Sequence, residues 1–190
     1  MKVRSRILNL PNVITGGRFV LSACLMLLLM LPQSTGIALL AWLVFCLAAI
    51  SDWIDGYFAR RYHSITVLGK LMDPLADKVL VATALVMLIP LGRIPAWLVL
   101  VILVREFVVT GLRGVASSSG IVVAASPLGK LKSTTQYIGL GFLIFPEGFL
   151  PIPALHQIGM AIMYVALIFT IWSGVEYFYK LRRVFLEEDA

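Results

Sequence analysis

The chain has 190 residues, of which 60% are hydrophobic and 14% are charged, and its formal net charge is +6. Soluble domains average roughly 25% charged and 45–50% apolar residues, so this composition excludes an ordinary soluble domain and favours a membrane protein. A positive charge would suit a nucleic-acid partner in a soluble protein, but here the aromatic residues lie in apolar runs and the charges cluster at their ends. We therefore expect contact with membrane lipids and anionic substrates, no nucleic-acid partner, and a single membrane-embedded domain over residues 1–190.

The first eight residues alternate basic and apolar side chains, beginning with Lys2, Val3 and Arg4. This pattern predicts a short interfacial helix on the anionic inner leaflet, and the alternative is a disordered basic tail that only orients the first span. The start is similar to that of a signal peptide, but the apolar run behind it is too long, contains Arg18 and lacks a small-residue cleavage site. We interpret this run as a retained first membrane span.

Six apolar segments are each long enough to cross a hydrocarbon core of about 30 Å, which needs about 20 helical residues. Proline and glycine separate them, as at Pro32 and Gly36 or at Gly92 and Pro95. The sequence therefore predicts an all-α integral membrane protein with six transmembrane helices. The predicted spans cover residues 9–31, 36–61, 68–91, 94–118, 127–147 and 153–182.

Lysine and arginine are distributed unequally between the two ends of these spans. Arg93 is alone on one side, and the other fifteen of the 16 basic residues fall on the opposite side. Cytoplasmic loops carry an excess of Lys and Arg, so both termini are predicted to face the cytoplasm, in agreement with an even number of spans.

Four aspartates lie in the second and third predicted spans: Asp52, Asp55, Asp73 and Asp77. Carboxylates in membrane helices are candidates for function, because an Asp at the bilayer centre costs about 2.5–3.5 kcal/mol on insertion scales. The first two are three residues apart and the last two four apart, so each pair shares a helix face. At about 1.5 Å rise per residue, Asp52 and Asp77 each lie about 13 Å from the loop between the two antiparallel helices. All four carboxylates can therefore converge at one depth, open to the cytoplasm.

Four converging carboxylates cannot all stay ionised without cations. An all-oxygen set without His or Cys favours a hard divalent metal, Mg²⁺, Mn²⁺ or Ca²⁺, and four carboxylates can hold two ions. The alternative is that the aspartates form buried ion pairs with arginines. Gly56 and Gly69 lie on the same helix faces, where a missing side chain permits either the close approach of a phosphate or nucleotide or a close helix–helix contact.

This segment reads Asp52-x-x-Asp55-Gly56-x-x-Ala59-Arg60, then eight residues, then Gly69-x-x-x-Asp73-x-x-x-Asp77. It resembles the signature of the CDP-alcohol phosphatidyltransferase family, and the six-span layout fits that family over the whole chain. The resemblance implies that a hydroxyl of an acceptor alcohol attacks the lipid-side phosphate of CDP-diacylglycerol and that CMP leaves.

The same resemblance implies roles for individual residues. Asp52, Asp55 and Asp73 would ligate the metal, expected as two ions of Mg²⁺ or Mn²⁺, and Asp77 would be the general base and also contact a metal. The other signature residues would line the cytidine-phosphate pocket together with Asp52 and Asp73: Gly56, Ala59, Arg60 and Gly69. The family also implies a homodimer.

Three further strings, at residues 9–18, 104–113 and 129–136, resemble the bacterial branch of the family that makes phosphatidylglycerophosphate. That branch uses glycerol 3-phosphate as acceptor and implies residence in the bacterial cytoplasmic membrane. Asn12, with Thr15 and Arg18, would sit beside the nucleotide, and the alternative is that these residues cap a helix and anchor it at the interface.

A phosphorylated acceptor needs cations, and four basic residues on the cytoplasmic side are candidates: Arg105, Arg113, Lys130 and Lys132. Arg105 has an alternative role, which is an ion pair with a carboxylate. Lys130 and Lys132 are two residues apart, so on a regular helix they would not face in the same direction.

Three other functions compete with this interpretation. One keeps the family and changes the acceptor to inositol phosphate or serine. A second is a divalent-cation transporter, because carboxylates in membrane helices also mark ion paths. The outer halves of spans two and three, residues 36–49 and 79–91, contain no charge, which argues against such a path. A non-catalytic membrane scaffold is the third, and it would need no carboxylate cluster.

Overall fold

The chain folds into a bundle of helices, seen in a computed structural model that describes residues 10–62, 67–118 and 127–187 and the side chains of 15–51, 75–117 and 128–179. Within these ranges the secondary structure is helical, with six helices and no strand, which confirms the predicted all-α class. The helices are α1 Leu10–Met30, α2 Thr35–Tyr62, α3 Val67–Leu88, α4 Ala96–Ser118, α5 Pro127–Ile144 and α6 Leu155–Glu187.

Each helix coincides with one of the six predicted apolar segments, and the differences are at the ends. The third segment was predicted to continue to residue 91, but α3 ends at Leu88. There Gly92 adopts a positive φ of 67°, and the Arg93 amide donates to the Leu88 carbonyl at 3.2 Å. This closing turn satisfies a carbonyl at the helix end, and glycine adopts its left-handed conformation without strain.

One large apolar cluster fills the interior at one end of the bundle. The cluster takes its residues from the C-terminal halves of α1, α3 and α5 and from the N-terminal halves of α2, α4 and α6, so consecutive helices run in opposite directions. Its fully buried members include Leu25, Phe45, Leu85, Ile102 and Leu140. We call this end of the bundle the apolar half.

Small residues bring α5 and α6 into close contact. A Cβ placed on Gly139 would lie 2.8 Å from the Met163 sulfur, and one on Gly159 would lie 3.0 Å from Cβ of Phe142. A Cβ at either position would force its neighbours to shift, so the two glycines permit the close packing of these helices.

Within the described residues, one stretch, Leu155–Tyr179 in α6, is long and apolar enough by length and composition to cross a membrane. The apolar helices Thr15–Met30 and Thr35–Ser51 are shorter. Crossing by all six helices therefore stays a prediction, as does the cytoplasmic placement of both termini. The predicted interfacial helix at the N-terminus lies outside the described residues.

Candidate active site

The other end of the bundle buries polar side chains, and we call it the polar half. Arg18 is 1% exposed and Lys132 is 5% exposed. The remaining buried polar residues lie one turn before Arg18 or within one turn of the middle of α1, α5 and α6: Thr15, Ser22, Gln136, Thr170 and Ser173. Burial of so many polar groups requires hydrogen-bond partners inside the bundle, since an unpaired buried group is destabilising.

Asp77 lies on α3 at the edge of this polar half. Its carboxylate accepts a hydrogen bond from the hydroxyl of Tyr137 on α5. The other three aspartates lie on the last turns of α2 or the first turns of α3, and their side chains are outside the described residues. The same holds for the remaining predicted nucleotide-binding positions: Asn12, Gly56, Ala59, Arg60 and Gly69. In the described part of the chain, no group of three or more His, Cys, Asp or Glu side chains comes together.

Glu106 is the centre of an ion-pair network that joins α4 to α5. Lys132 donates to its carboxylate, and Arg105 lies 3.1 Å from the same carboxylate oxygen. All three side chains are largely removed from solvent, at 17% exposure or less. One carboxylate therefore faces two cations in this network.

Arg105 extends this network to α6. Its Nε donates to the Thr170 carbonyl at 3.1 Å, and Nη2 donates to the Ser173 hydroxyl at 2.8 Å. The stem of the side chain passes over Gly174, where a Cβ would lie 3.3 Å from Cγ of Arg105. The structure thus brings Arg105 to a carboxylate, which agrees with the second of the two roles predicted for it.

Asp77 and Lys132 line the same small cavity, of about 40 Å³, between α3, α4 and α5. Its other polar walls are Lys78, Glu106, Ser133, Gln136 and Tyr137. A predicted general base and a predicted phosphate-binding cation therefore meet in one place, although they are 55 positions apart in the sequence (132 − 77).

The two remaining cations of the predicted acceptor site lie elsewhere. Arg113 donates from Nε to the Tyr177 hydroxyl at 3.0 Å, and its guanidinium carbon is 5.2 Å from the centre of that ring. Lys130 is exposed while Lys132 is buried, so the two lysines face in different directions, as their spacing predicts. Thr15 and Arg18 are buried, which is not the environment of an exposed interfacial anchor.

The sequence of this chain matches the family model described as CDP-alcohol phosphatidyltransferase over residues 8–172. The chain belongs to the CDP-alcohol phosphatidyltransferase family. Among its relatives are proteins named CDP-diacylglycerol--glycerol-3-phosphate 3-phosphatidyltransferase. The one from Bacillus subtilis is 41% identical over 183 residues, covering 90% of this chain and 94% of the relative. The one from Rickettsia typhi is 37% identical, with 93% and 99% covered, and the one from Shigella flexneri is 34% identical, with 95% and 98% covered.

Several polar residues of this family member's site were missed by sequence reasoning. Thr170 and Ser173 each occur in an apolar stretch, where a single polar residue carries little weight, whereas Gln136 and Tyr137 directly follow the polar run at 132–135 and were assigned no role. Their spacing contained a usable signal: Thr170, Ser173 and Tyr177 follow the i, i+3, i+7 pattern of one helix face, and Gln136 is four residues after Lys132.

Proposed function

We propose that this chain transfers the phosphatidyl group of CDP-diacylglycerol to glycerol 3-phosphate, giving phosphatidylglycerophosphate and CMP. Membership of the family and the names of the relatives support this reaction. The structural observation that carries it is the cavity shared by Asp77 and Lys132. A transfer to a phosphorylated alcohol needs a proton acceptor for the hydroxyl and a cation for the phosphate within reach of each other.

Asp77 serves as general base in this proposal. The acceptor hydroxyl gives its proton to the Asp77 carboxylate while its oxygen bonds to the lipid-side phosphorus, and the bond from that phosphorus to CMP breaks. The Tyr137 hydroxyl donates to the carboxylate and so orients it. Orientation of the base against the nucleophile contributes to the rate.

A divalent cation fits the residues available. Carboxylate, hydroxyl and amide oxygens are the donor types that the described walls of the cavity offer, and such oxygens suit Mg²⁺ or Mn²⁺ rather than a soft metal. Asp52, Asp55, Asp73 and Asp77 would hold two ions, with Gly56, Ala59, Arg60, Gly69 and Asn12 around the nucleotide. When bound, the metal neutralises the diphosphate charge.

The acceptor phosphate is a second anion beside that diphosphate, and fixed cations offset the repulsion between them. Lys132 is the cation whose position in the cavity suits this role best. Arg105 supports this role of Lys132 indirectly. Arg105 and Lys132 share the single carboxylate of Glu106, so Glu106 does not neutralise both cations. Arg113 and Lys130 complete the positive rim on the cytoplasmic side of the proposed site.

All six helices cross the cytoplasmic membrane in this proposal, and both termini face the cytoplasm. Apolar side chains exposed one heptad apart on every helix support this arrangement, because soluble proteins do not surround themselves with such stripes. The pairs are Val20 and Leu27, Leu40 and Leu47, Val79 and Val86, Leu100 and Phe107, Leu131 and Ile138, and Ile168 and Val175. A cysteine added after Ala190 that reacts with an impermeant reagent only from outside the cell would contradict it.

CMP release by the purified full chain over a panel of acceptors tests the function. We expect turnover with glycerol 3-phosphate and little with inositol, inositol phosphate or serine. Asp77→Asn is the matched inactive control, because it keeps the shape of the side chain and removes its basicity. Good turnover with serine and none with glycerol 3-phosphate would overturn the acceptor and leave only the family.

A further inference from the structure

A larger cavity, of about 700 Å³, opens at the apolar end of the bundle. The loop after α1, the turn after α3 and the loop between α5 and α6 form its rim. Along α3, Asp77 and Leu88 are about 16 Å apart at 1.5 Å per residue, so this cavity is separate from the candidate active site. Its polar walls are Gln33, Ser34, Arg93, Glu147, His156 and Gln157.

Arg93 supplies the positive charge of this cavity. Its Nη1 donates to the carbonyls of Leu143 and Ile144 at 2.9 and 3.1 Å, which closes the end of α5. Among the described residues its Nε and Nη2 make no hydrogen bond, and neither atom is sealed from solvent. Two parallel N–H donors of a guanidinium match two oxygens of a phosphate.

Glu147 supplies the negative charge of this cavity. Its side chain is 59% exposed, and one carboxylate oxygen lies 3.3 Å from Nδ1 of His156. Nε2 of the same ring lies 2.9 Å from the Phe145 carbonyl. A carboxylate that is open to the cavity accepts hydrogen bonds from a cationic donor, and a primary ammonium offers three N–H groups to it.

The two parts of the cavity are electrostatically linked. Burial lowers the pKa of the Arg93 guanidinium, and the negative charge of Glu147 opposes that shift. A ligand that carries both a phosphate and an ammonium group therefore matches the charges of this cavity better than a simple anion does, because Glu147 would repel an anion.

We propose that this cavity binds the head group of a phospholipid that bears a primary ammonium, with the phosphate on Arg93 and the ammonium on Glu147. The proposal rests on the membrane topology proposed above, which puts the cavity at the outer interface. Tyr164 lines the cavity and stacks on Trp97 at 6.3 Å between ring centres, and such aromatic side chains are typical of that depth. The loop that carries Glu147 also exposes Phe149, Leu150 and Ile152, so its surface suits acyl chains rather than water.

Native mass spectrometry of the full chain with defined lipids tests this site. Phosphatidylethanolamine and phosphatidylcholine with identical acyl chains differ only at the head-group nitrogen, which donates hydrogen bonds in the first and carries three methyl groups in the second. We expect the first to bind about tenfold more tightly, which corresponds to about 1.4 kcal/mol. Soluble phosphoethanolamine is the arm that separates a lipid ligand from a free one, and we expect it to bind far more weakly than the lipid.

Variants test which residue binds the ammonium and which binds the phosphate of the head group. Glu147→Gln keeps the side-chain shape and should remove the tenfold preference, with phosphatidylcholine binding unchanged. Arg93→Gln should weaken both lipids, and Arg93→Lys, which keeps the charge and a donor for α5, should retain most of the binding even where Arg93→Gln fails to fold. Leu150→Ala, in the same loop but outside the cavity wall, is the matched control: any loss of acyl contact affects both lipids equally, so the tenfold preference should remain.

Equal affinity for the two lipids, or a Glu147→Gln variant that keeps the preference, would overturn the ammonium site. Equal binding of soluble phosphoethanolamine would overturn the lipid as ligand. CMP release should be normal in Glu147→Gln. If the unchanged chain itself released no CMP, that result would count against the proposed function, and the lipid-binding result would still hold.

Discussion

The two halves of the bundle are built from the same six helices but differ in what they bury. The apolar half is filled by Leu, Ile, Phe and Ala side chains without a buried charge among its cluster members. In the polar half, α4 and α5 contribute an ion-pair network around Glu106, and α6 receives Arg105 on its Thr170 carbonyl and Ser173 hydroxyl. The apolar core and the candidate active site therefore lie at different depths of the same bundle.

This separation bears on the choice between an enzyme and a cation transporter. A transporter needs polar groups through the whole thickness of the bundle. An apolar layer separates the polar half from the opposite end of the bundle. Its fully buried side chains include Leu85, Leu98, Ile102 and Leu140. The arrangement suits a site that opens on one side only.

The largest expected effect is removal of the divalent metal from the polar half. Excess chelator should reduce CMP release to background, because four carboxylates and a substrate diphosphate would repel one another without cations. Addition of Mg²⁺ or Mn²⁺ in excess over the chelator should restore release. Undiminished release in chelator, measured on protein shown to be metal-free, would remove the metal from the proposal.

Loss of the general base should have the next largest effect. Asp77→Asn should lower kcat by about 10²- to 10⁴-fold, the range that general base catalysis contributes. Tyr137→Phe keeps the ring and removes the hydroxyl that orients the carboxylate, so we expect a smaller loss, about tenfold. Single-turnover CMP release measures both. If Tyr137→Phe were as damaging as Asp77→Asn, the tyrosine would be more than a positioning residue.

An intermediate effect is expected at the acceptor cations. Lys132→Ala should raise the apparent KM for glycerol 3-phosphate by roughly 10- to 100-fold, since a charge-assisted bond contributes about 1.5–3 kcal/mol. Arg113 and Lys130 lie outside the cavity that Asp77 and Lys132 share, so Arg113→Ala and Lys130→Ala should raise it less. The apparent KM for CDP-diacylglycerol should change little in each case.

Arg113 also has a structural contact, because it bonds to the Tyr177 hydroxyl at 3.0 Å. Tyr177→Phe removes that bond and leaves the guanidinium in place, so it is the matched control. If Arg113→Ala and Tyr177→Phe lost thermal stability equally, with the acceptor KM unchanged in both, Arg113 would serve the packing of α4 on α6 and not the acceptor.

The sequence predicted the helices more completely than it predicted the candidate site. Long apolar runs with Pro and Gly at their ends predict helices directly, and all six were found, although the end of α3 at Leu88 depends on a turn closed by Gly92. The meeting of Asp77 with Lys132 was only partly predictable, because charge placed both on one side but not in one cavity. The Arg105 contacts with α6 depend on Gly174 and on the crossing of two helices, which no local pattern contains.

The smallest expected effect on catalysis is in the apolar half, and there the effect should be on stability instead. Leu85 is fully buried on α3 within the apolar cluster. In a bilayer the lipid tails are as apolar as leucine, so the transfer term that dominates in water falls away and the empty volume remains. At about 24 cal/mol per Å³, a cavity of about 80 Å³ left by Leu85→Ala should lower the free energy of unfolding by about 2 kcal/mol. Thermal unfolding in detergent should therefore begin at a lower temperature, while CMP release per folded molecule stays within about twofold. Val86→Ala is the matched control, since Val86 is adjacent but exposed, and it should change neither quantity. A large loss of turnover in folded Leu85→Ala would mean that the two halves of the bundle are coupled and that packing in one positions the carboxylates of the other.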